Sequence, residues 1–210
     1  MYLQVGKRIF DLTIAILGLI IIAVPMALIA ILIRITSGSP ILFTQERVGK
    51  GGQIFSVKKF RTMSVRSVEG SSITVVGDSR VTAIGSYLRR WKLDELPQLW
   101  NVLVGEMSLV GPRPDVPGYA DKLQGDDRKL LLLRPGITGP ATLAYRNEEE
   151  ILAKVSAPVQ YNNEIIYPDK LRINLEYMEK CSLMQDLKYI LETIKYILET
   201  MGGRSNHVAD

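Results

Sequence analysis

Two adjacent carboxylates, Asp94 and Glu95, follow a cluster of three basic residues in the segment LRRWKLDELPQLWN. A carboxylate near Arg and Lys stays ionised, so it can act as a nucleophile or bind a hard cation such as Mg²⁺. The guanidinium groups of Arg also suit the oxygens of a diphosphate. Taken alone, however, the pair is better explained by Asp94 capping a helix that has Pro97 in its first turn.

The chain contains one cysteine, Cys181, and one histidine, His207. A single cysteine excludes a disulfide within the chain and is typical of a reducing compartment. The same scarcity excludes a Ser-His-Asp triad and zinc sites built from His or Cys, and it leaves no Cys-His pair worth proposing. Any catalysis must therefore use carboxylates, Arg, Lys or backbone amides, with or without a hard metal.

The charge of the chain is mildly positive, with 26 Lys and Arg residues against 22 Asp and Glu residues. This excess suits anionic lipid headgroups or phosphorylated substrates. Aromatic residues are few and are not interleaved with the basic clusters, so we expect no nucleic-acid partner. The sequence also lacks a phosphate loop of the G-x-x-x-x-G-K-[ST] kind, which argues against NTP hydrolysis.

Residues 12–33 form an apolar segment of 22 residues without a charge. As a helix it would extend roughly 33 Å, enough to cross the hydrocarbon core of a membrane. It is too long for the apolar region of a cleaved signal peptide. A core helix that is apolar on every face would be unusual in a soluble domain of this size. The segment therefore predicts a membrane anchor.

Two features leave the topology of this anchor open. Pro25 lies near its middle, where it removes a helical hydrogen bond and kinks or breaks the helix. Basic residues flank both ends, although such flanks prefer the cytoplasmic side of a membrane. A helix broken at Pro25 would enter and leave on the same face and would explain both features. A spanning helix with a tolerated proline kink remains an equal alternative from the residues alone.

The remaining chain predicts a small domain of mixed structure. Its predicted elements, in chain order, are a hairpin of strands at 41–45 and 53–60, a loop at 64–80, helices around 81–91, 96–103, 122–133 and 148–165, a break at 167–169 and a last helix that ends near 201. The last helix carries the repeat KYILETI–KYILETM and is apolar along one face. It either packs on the domain or in a coiled coil, which keeps a homodimer open, or lies among lipid headgroups.

Several motifs occur in a fixed order: FD at 10–11, KKFRTM at 58–63, LDELPQLWNVL at 93–103, GEMSLVGPRP at 105–114 and RPGITG at 134–139. In this order they resemble the bacterial sugar transferases, the small monotopic polyprenol-phosphate phosphoglycosyl transferases. The resemblance covers about residues 7–200, nearly the whole chain. A series this long and specific is not explained by coincidence, so it favours a functional role for the Asp-Glu pair over a helix cap.

The resemblance implies transfer of a phosphosugar from a nucleotide diphosphate sugar, typically a UDP-sugar, to undecaprenyl phosphate with release of UMP. It implies Asp94 as the nucleophile that forms an acyl-phosphate and as a ligand of Mg²⁺, with Glu95 as its partner in handling protons and charge. A carboxylate nucleophile divides one difficult transfer into two in-line displacements. The substrate-binding positions implied by the motifs are Lys59, Arg89, Arg113 and Arg146.

The resemblance also implies a fold class and a location. We expect an α+β, mainly helical chain with a re-entrant membrane helix in residues 1–36, a small β-hairpin and amphipathic interfacial helices. Residues 37–201 would form the catalytic domain at the cytoplasmic face of the bacterial inner membrane, in contact with its lipids, and residues 202–210 a polar tail. The rival hypothesis is a non-catalytic, membrane-anchored scaffold protein, in which the same loops only pack.

Some residues depart from the family pattern. Val24-Pro25 replaces a Ser-Pro pair at the helix break, and Pro140 and Tyr145 replace a Trp and a Gly after the RPGITG motif. A common Asp-x-x-Tyr appears as NLEY at 174–177. Since the later departures lie where sugar recognition is set, the sequence predicts no particular sugar.

Overall fold

The computed structural model describes residues 2–64 and 80–201 of the chain. The predicted loop at 64–80 lies mostly outside this range, and the predicted tail at 202–210 lies wholly outside it. The described chain is mainly helical with a small antiparallel hairpin, as the sequence predicts.

A long apolar helix, α1 (Lys7–Ser37), follows a π-helical turn at Tyr2–Gly6 and runs through Pro25 as one element. Among the described helices it is the one long and apolar enough to cross a membrane. Side chains in its middle are largely exposed: the exposed fractions of Ile20, Ile21 and Val24 are 70%, 75% and 69%. Apolar side chains exposed at this density favour a lipid environment over water.

Both ends of α1 are fixed to the rest of the protein by arginine. Arg8 donates to the carbonyls of Val102 and Leu103 at 2.6 and 2.9 Å. At the other end the Arg61 guanidinium donates to the carbonyls of residues 37, 38 and 39, at distances of 2.5, 2.9 and 2.7 Å. The two ends of the helix therefore contact the same folded unit.

The predicted hairpin is confirmed. Strand β1 (Leu42–Val48) pairs antiparallel with β2 (Ile54–Phe60) across a turn in which Gly51 has φ +72°. Alternate residues Phe55 and Val57 of β2 are buried on one face of the hairpin, and Phe60 at the end of the strand is buried in a separate cluster with Ile33 and Leu88. The side of the hairpin that carries Phe55 and Val57 therefore packs against the rest of the chain.

Two short helices and a parallel strand pair follow the hairpin. Helix α2 (Ala83–Arg90) and helix α3 (Gln98–Val104) form where the apolar spacing predicts them. Strand β3 (Ser108–Val110) pairs with β4 (Gly136–Thr138) and brings the GPRP and RPGITG loops together. A Cβ on Gly136 would lie 2.1 Å from the Gly111 nitrogen, so this approach requires glycine.

Eight helical segments complete the described chain. They are 3₁₀ helices at Ala120–Lys122 and Gly125–Leu132, α4 (Pro140–Ala144), α5 (Glu148–Ala153), α6 (Pro158–Tyr161), a π-helical segment at Asn162–Ile166, α7 (Tyr167–Lys180) and α8 (Leu183–Met201). Two details of the prediction are wrong. The segment at 148–165 is divided among short helices, and Tyr167-Pro168-Asp169 begins α7 instead of breaking the chain. Proline is tolerated in the first turn of a helix because its missing N–H has no partner there.

The core joins these elements in two main clusters. One packs the hairpin residues Phe55 and Val57 against Val102, Met107 and Val110. The other packs Ile33 of α1 against Phe60 and Leu88. The second cluster anchors the C-terminal half of α1 beside α2.

A buried ionic network connects the first and last helices. Asp186 of α8 is fully buried and accepts a hydrogen bond from Lys7 at 2.6 Å. The phenols of Tyr2 and Tyr177 donate to the same carboxylate at 2.6 and 2.5 Å. Burying a charge without partners costs free energy, so this network holds α8 against the N-terminal end of α1.

We expect Asp186→Asn to destabilise the protein strongly, because it leaves the Lys7 ammonium buried without its anion. Removing one partner of such a pair costs about 3 kcal/mol, which corresponds to a fall in Tm of about 6–12 °C. Thermal unfolding in a single detergent measures the change. The control is Asp126→Asn, which breaks the exposed ion pair with Lys129 and should leave Tm unchanged. Equal Tm values for the two variants would show that the buried network does not form.

Candidate active site

The Asp-Glu pair lies in a 3₁₀ turn, Leu93–Glu95, between α2 and α3. Lys92 precedes it with φ +55°, a left-handed conformation that reverses the chain after α2. Pro97 occupies the N-cap position of α3 and there is no side-chain cap, so Asp94 is not a helix cap. The Asp94 carboxylate is buried, and its Oδ1 atom has no hydrogen-bond partner among the described residues.

Glu95, in contrast, is held by two cations. Lys59 donates to its Oε1 atom at 2.7 Å, and the Arg113 guanidinium lies 3.5 Å from the same oxygen. Burial alone would raise the pKa of Glu95, but the charges of Arg113 and Lys59 outweigh it and hold this pKa at about 2. Glu95 is therefore ionised at neutral pH and is committed to holding Lys59 and Arg113 in place.

The pKa of Asp94 moves in the opposite direction. Burial raises it, and the negative charge of Glu95 raises it further, against the opposing charges of Lys59, Lys92 and Arg89. The two neighbouring carboxylates thus differ in role: one is locked in ion pairs, and the other keeps a free oxygen. A carboxylate with a free oxygen is the one suited to attack a phosphorus atom or to bind a cation.

Asn101 connects the hairpin to the helix that follows the Asp-Glu turn. Its fully buried amide accepts from the backbone nitrogen of Lys58 at 3.0 Å. It also donates to the carbonyl of Ser56 at 2.8 Å and to Glu106 at 2.7 Å. This amide fixes β2 against α3 and so places Lys59, the next residue of β2, beside Glu95.

Arg89 is oriented by the chain that follows the hairpin. Its Nε atom donates to the Thr62 hydroxyl at 2.9 Å, and its terminal nitrogens make no hydrogen bond within the described chain. Gly85 allows α2 to lie this close, because a Cβ there would be 2.1 Å from the Thr62 carbonyl oxygen. The outer end of the Arg89 guanidinium remains available to an anion.

Arg146 follows α4 and lines the same cleft. Its guanidinium stacks over the Tyr196 ring of α8, 5.5 Å from the ring centroid. No hydrogen bond to a described residue occupies its donors. Stacking orients an arginine while leaving its edge free to bind an oxyanion.

The structure places all six sequence-predicted residues around one open cleft of about 1640 Å³. They are Lys59, Arg89, Asp94, Glu95, Arg113 and Arg146. The cleft exceeds the volume of a pocket for a single small ligand, which is typically about 300–1,000 Å³. Basic side chains outnumber acidic ones along its lining, so it suits a large ligand that carries several negative charges.

Sequence reasoning missed several polar residues of this lining, among them Arg47, Asp115, Tyr167 and Lys170. Asp115 accepts a hydrogen bond from the Tyr167 phenol at 3.3 Å, and Arg47 donates to the Pro114 carbonyl at 3.0 Å. Burial raises the pKa of Asp115 to about 6. The one signal in the sequence was the position of Asp115 directly after the GPRP motif.

Few side chains of the cleft could bind a metal ion. Within residues 2–64 and 80–201, no group of three or more His, Cys, Asp or Glu side chains could hold a metal ion. The unpartnered Asp94 oxygen nevertheless fits a hard cation such as Mg²⁺, which commonly takes only one or two carboxylates and completes its shell with water and phosphate oxygens.

Comparison with known proteins gives a consistent result. The model of the family described as bacterial sugar transferase matches residues 2–200. The chain is 43% identical over 121 residues to a putative undecaprenyl-phosphate N-acetylgalactosaminyl 1-phosphate transferase of Bacillus subtilis, which covers 57% of the chain and 68% of that relative.

Longer alignments relate the chain to larger proteins. It is 35% identical over 198 residues to a UDP-glucose:undecaprenyl-phosphate glucose-1-phosphate transferase of Xanthomonas campestris, covering 91% of the chain and 38% of the relative. It is 33% identical over 201 residues to the galactosyl transferase CpsE of Streptococcus agalactiae, covering 90% and 41%. The chain thus spans about two fifths of the length of these two relatives. Their names specify different sugars.

We expect Lys59→Met to destabilise the protein by about 2 kcal/mol near pH 7, because it leaves Glu95 buried without its nearest cation. The difference in the free energy of unfolding between the wild type and the variant should decrease as the pH falls towards about 4.5. In the variant the pKa of Glu95 rises, so protonation relieves the penalty, whereas the wild-type carboxylate stays ionised until the pH approaches its pKa of about 2. Unfolding at several pH values measures both effects.

Lys58→Met is the matched control for this substitution, since Lys58 is the neighbour of Lys59 on β2 and makes no ion pair within the described chain. Its effect should be small at every pH in this range. The Glu95 ion pairs are not formed if Lys59→Met lowers the free energy of unfolding by the same amount as Lys58→Met. The same conclusion follows if the effect of Lys59→Met does not change with pH.

Proposed function

Since the chain belongs to the bacterial sugar transferase family, we propose that it transfers a phosphosugar from a UDP-sugar to undecaprenyl phosphate and releases UMP. The observation that carries this proposal is the Asp94 carboxylate, which keeps an unpartnered oxygen inside a cleft lined by cations. A nucleophile in such a cleft suits phosphoryl transfer, where positioning and charge stabilisation supply most of the catalysis.

The first step of the proposed reaction forms a covalent intermediate. An Asp94 oxygen attacks the phosphorus atom that carries the sugar, and the bond from that phosphorus to the oxygen bridging the two phosphates breaks. The electron pair and the bridging oxygen leave with UMP. The product on the enzyme is a mixed anhydride of the Asp94 carboxyl group and the sugar phosphate.

The second step returns the enzyme to its starting state. A phosphate oxygen of undecaprenyl phosphate attacks the same phosphorus, and the bond between that phosphorus and the Asp94 oxygen breaks. The sugar then lies on a polyprenyl diphosphate, and the Asp94 carboxylate is regenerated. This product would be the first membrane-bound intermediate in the assembly of a surface glycan or glycoconjugate.

The remaining site residues bind and neutralise the phosphates in this proposal. Arg113 and Lys59 are fixed by Glu95, so they present positive charge in a defined position beside Asp94. Arg89 and Arg146 line the cleft with free donors and would bind further phosphate oxygens. Glu95, which stays ionised, positions these cations and does not carry a proton.

Asp94 is also the residue that would hold Mg²⁺, together with oxygens of the diphosphate and water. A magnesium ion bound there supplies positive charge that neutralises the diphosphate and its leaving group. The fit rests on the free Asp94 oxygen and on the hard, anionic character of that ligand.

The position of the cleft suits an acceptor embedded in lipid. Apolar residues of α1, β1 and α3 form one part of its lining, among them Ile14, Phe43 and Leu99. The exposed apolar face of α8 carries Leu187, Leu191 and Leu198. We place the domain on the cytoplasmic face of the bacterial inner membrane, where a soluble donor and a lipid phosphate can meet.

We further propose that α1 is re-entrant and does not span the membrane. Arg8 near one end and Arg61 beside the other bind opposite ends of α1 to the same domain, while the apolar middle of the helix is exposed. Basic residues flank both ends as well, which favours one cytoplasmic face for both. The helix then enters and leaves the membrane on the side of the cleft.

We expect Asp94→Asn to abolish UMP release from the UDP-sugar donor, with a loss of at least about 10³-fold, because an amide is a poor nucleophile for phosphorus. A coupled UMP assay in detergent with undecaprenyl phosphate and Mg²⁺ measures the rate. Asp127→Asn, an exposed carboxylate outside the cleft lining, is the control and should retain full activity. Retained UMP release by Asp94→Asn would refute the mechanism. A scaffold protein would show no release even in the wild type.

The topology predicts that both ends of α1 react with a label from one side of the membrane. Cysteines are placed at Leu3 and Lys50 in a Cys181→Ala background, and a membrane-impermeant maleimide is added to sealed vesicles of each orientation. Both positions should be labelled in inside-out vesicles and protected in right-side-out vesicles. Labelling of the two positions from opposite sides would restore the spanning topology.

A further inference from the structure

Besides Arg61 Nε and Asp94 Oδ1, two further buried polar atoms of cleft-lining residues have no partner among the described residues. They are the hydroxyl oxygen of Thr142 on α4 and the side-chain carbonyl oxygen of Asn174 on α7. Asn174 is only 5% exposed, and both residues line the cleft. Because an unsatisfied buried polar group is costly, the pair calls for a ligand.

Thr142 differs from the other helical threonines. Thr13, Thr36, Thr193 and Thr200 each donate to the carbonyl four residues back along the helix, at 2.7–2.9 Å. Thr142 is the third residue of α4, so the carbonyl four residues back belongs to Thr138 in β4, outside the helix. The Thr142 hydroxyl is therefore left without the bond that a helix usually provides.

Two charged groups of α7, Asp169 and Lys170, are already paired, whereas Arg146 after α4 keeps its donors free for a phosphate. Lys170 binds Glu148 at 2.6 Å, and the Tyr145 phenol donates to Asp169 at 2.7 Å. The unpartnered atoms of Thr142 and Asn174 are both neutral. This part of the cleft therefore suits a neutral polar group instead of a phosphate.

Apolar residues of the same elements complete the lining. Ile137, Ala141 and Leu171 also line the cleft. In the sequence, Ile137 and Ala141 precede Thr142, and Leu171 precedes Asn174. Ala141 and Leu171 are buried. A ligand group that fits here carries an N–H or O–H for the Asn174 oxygen and an acceptor for the Thr142 hydroxyl. It also carries a small apolar part to fill the remaining space.

We propose that Thr142 and Asn174 bind the acetamido group of the donor sugar, so that the preferred substrate is a UDP-N-acetylhexosamine. The acetamido N–H donates to the Asn174 oxygen, its carbonyl accepts from the Thr142 hydroxyl, and its methyl contacts the apolar lining. A sugar hydroxyl at that position supplies no methyl and fills less of the space. This inference rests on the proposed transfer function and specifies its substrate class.

The wild-type enzyme provides the first test. UMP release is measured with four donors, the N-acetylated and the unmodified UDP-hexoses of both gluco and galacto configuration. The N-acetylated donors should give kcat/KM values at least about 100-fold higher, since a site built for hydrogen bonds discriminates strongly against a ligand that lacks them. Equal kcat/KM values for the N-acetylated and the unmodified donors would overturn the acetamido site but not the transfer function. An absence of UMP release from every donor would overturn the transfer function as well.

Substitution of Thr142 provides the second test. Thr142→Val keeps the shape and removes the hydroxyl, so kcat/KM for the N-acetylated donors should fall about 10-fold while the unmodified donors change less than about 3-fold. Thr142→Ser should restore the preference. Thr200→Val, on α8 outside the cleft lining, is the control and should leave it intact. An equal loss for all donors would identify Thr142 as structural and overturn its proposed role.

Discussion

The Glu95 carboxylate is the point at which three distant segments of the chain meet. It holds Lys59 from the hairpin and Arg113 from the loop after β3, while its own turn connects α2 to α3. Because Glu95 is committed to these ion pairs, the neighbouring Asp94 is left as the carboxylate with a free oxygen. Two adjacent residues of similar chemistry therefore acquire different roles from their surroundings. The same cleft is lined by Arg89 and Arg146, whose terminal nitrogens make no hydrogen bond within the described chain.

The membrane helix and the site depend on the same hairpin. Strand β2 supplies Lys59 to the site, and the residue that follows the strand, Arg61, binds the C-terminal end of α1. Arg8 binds the other end of α1 to α3, the helix that follows the Asp-Glu turn. The position of α1 is thus coupled to the position of the Asp94 and Glu95 carboxylates. In the proposed function this coupling holds the cleft at the membrane surface, where the lipid acceptor is found.

Much of this arrangement could be predicted from the sequence. Apolar spacing predicted α2, α3 and the hairpin, because these elements are local and amphipathic. The order of the motifs predicted six residues that the structure places around one cleft. The break expected at Tyr167 was wrong because the local proline signal ignores its tolerated place in a first turn. Asp115 and Thr142 were not found, and Asn174 was noted only as a departure from the family pattern, since their surroundings depend on how α4, α7 and the loops pack, which no local pattern encodes.

The proposed mechanism requires a covalent bond between Asp94 and the sugar phosphate. This bond is detected by incubating the enzyme with the UDP-sugar donor and Mg²⁺ in the absence of undecaprenyl phosphate, quenching in acid and measuring the intact mass. We expect an increase equal to one phosphosugar, located on the peptide that contains Asp94 and absent from Asp94→Asn. UMP release without an adduct under any quench condition, or an adduct on another residue, would rule out Asp94 as the nucleophile.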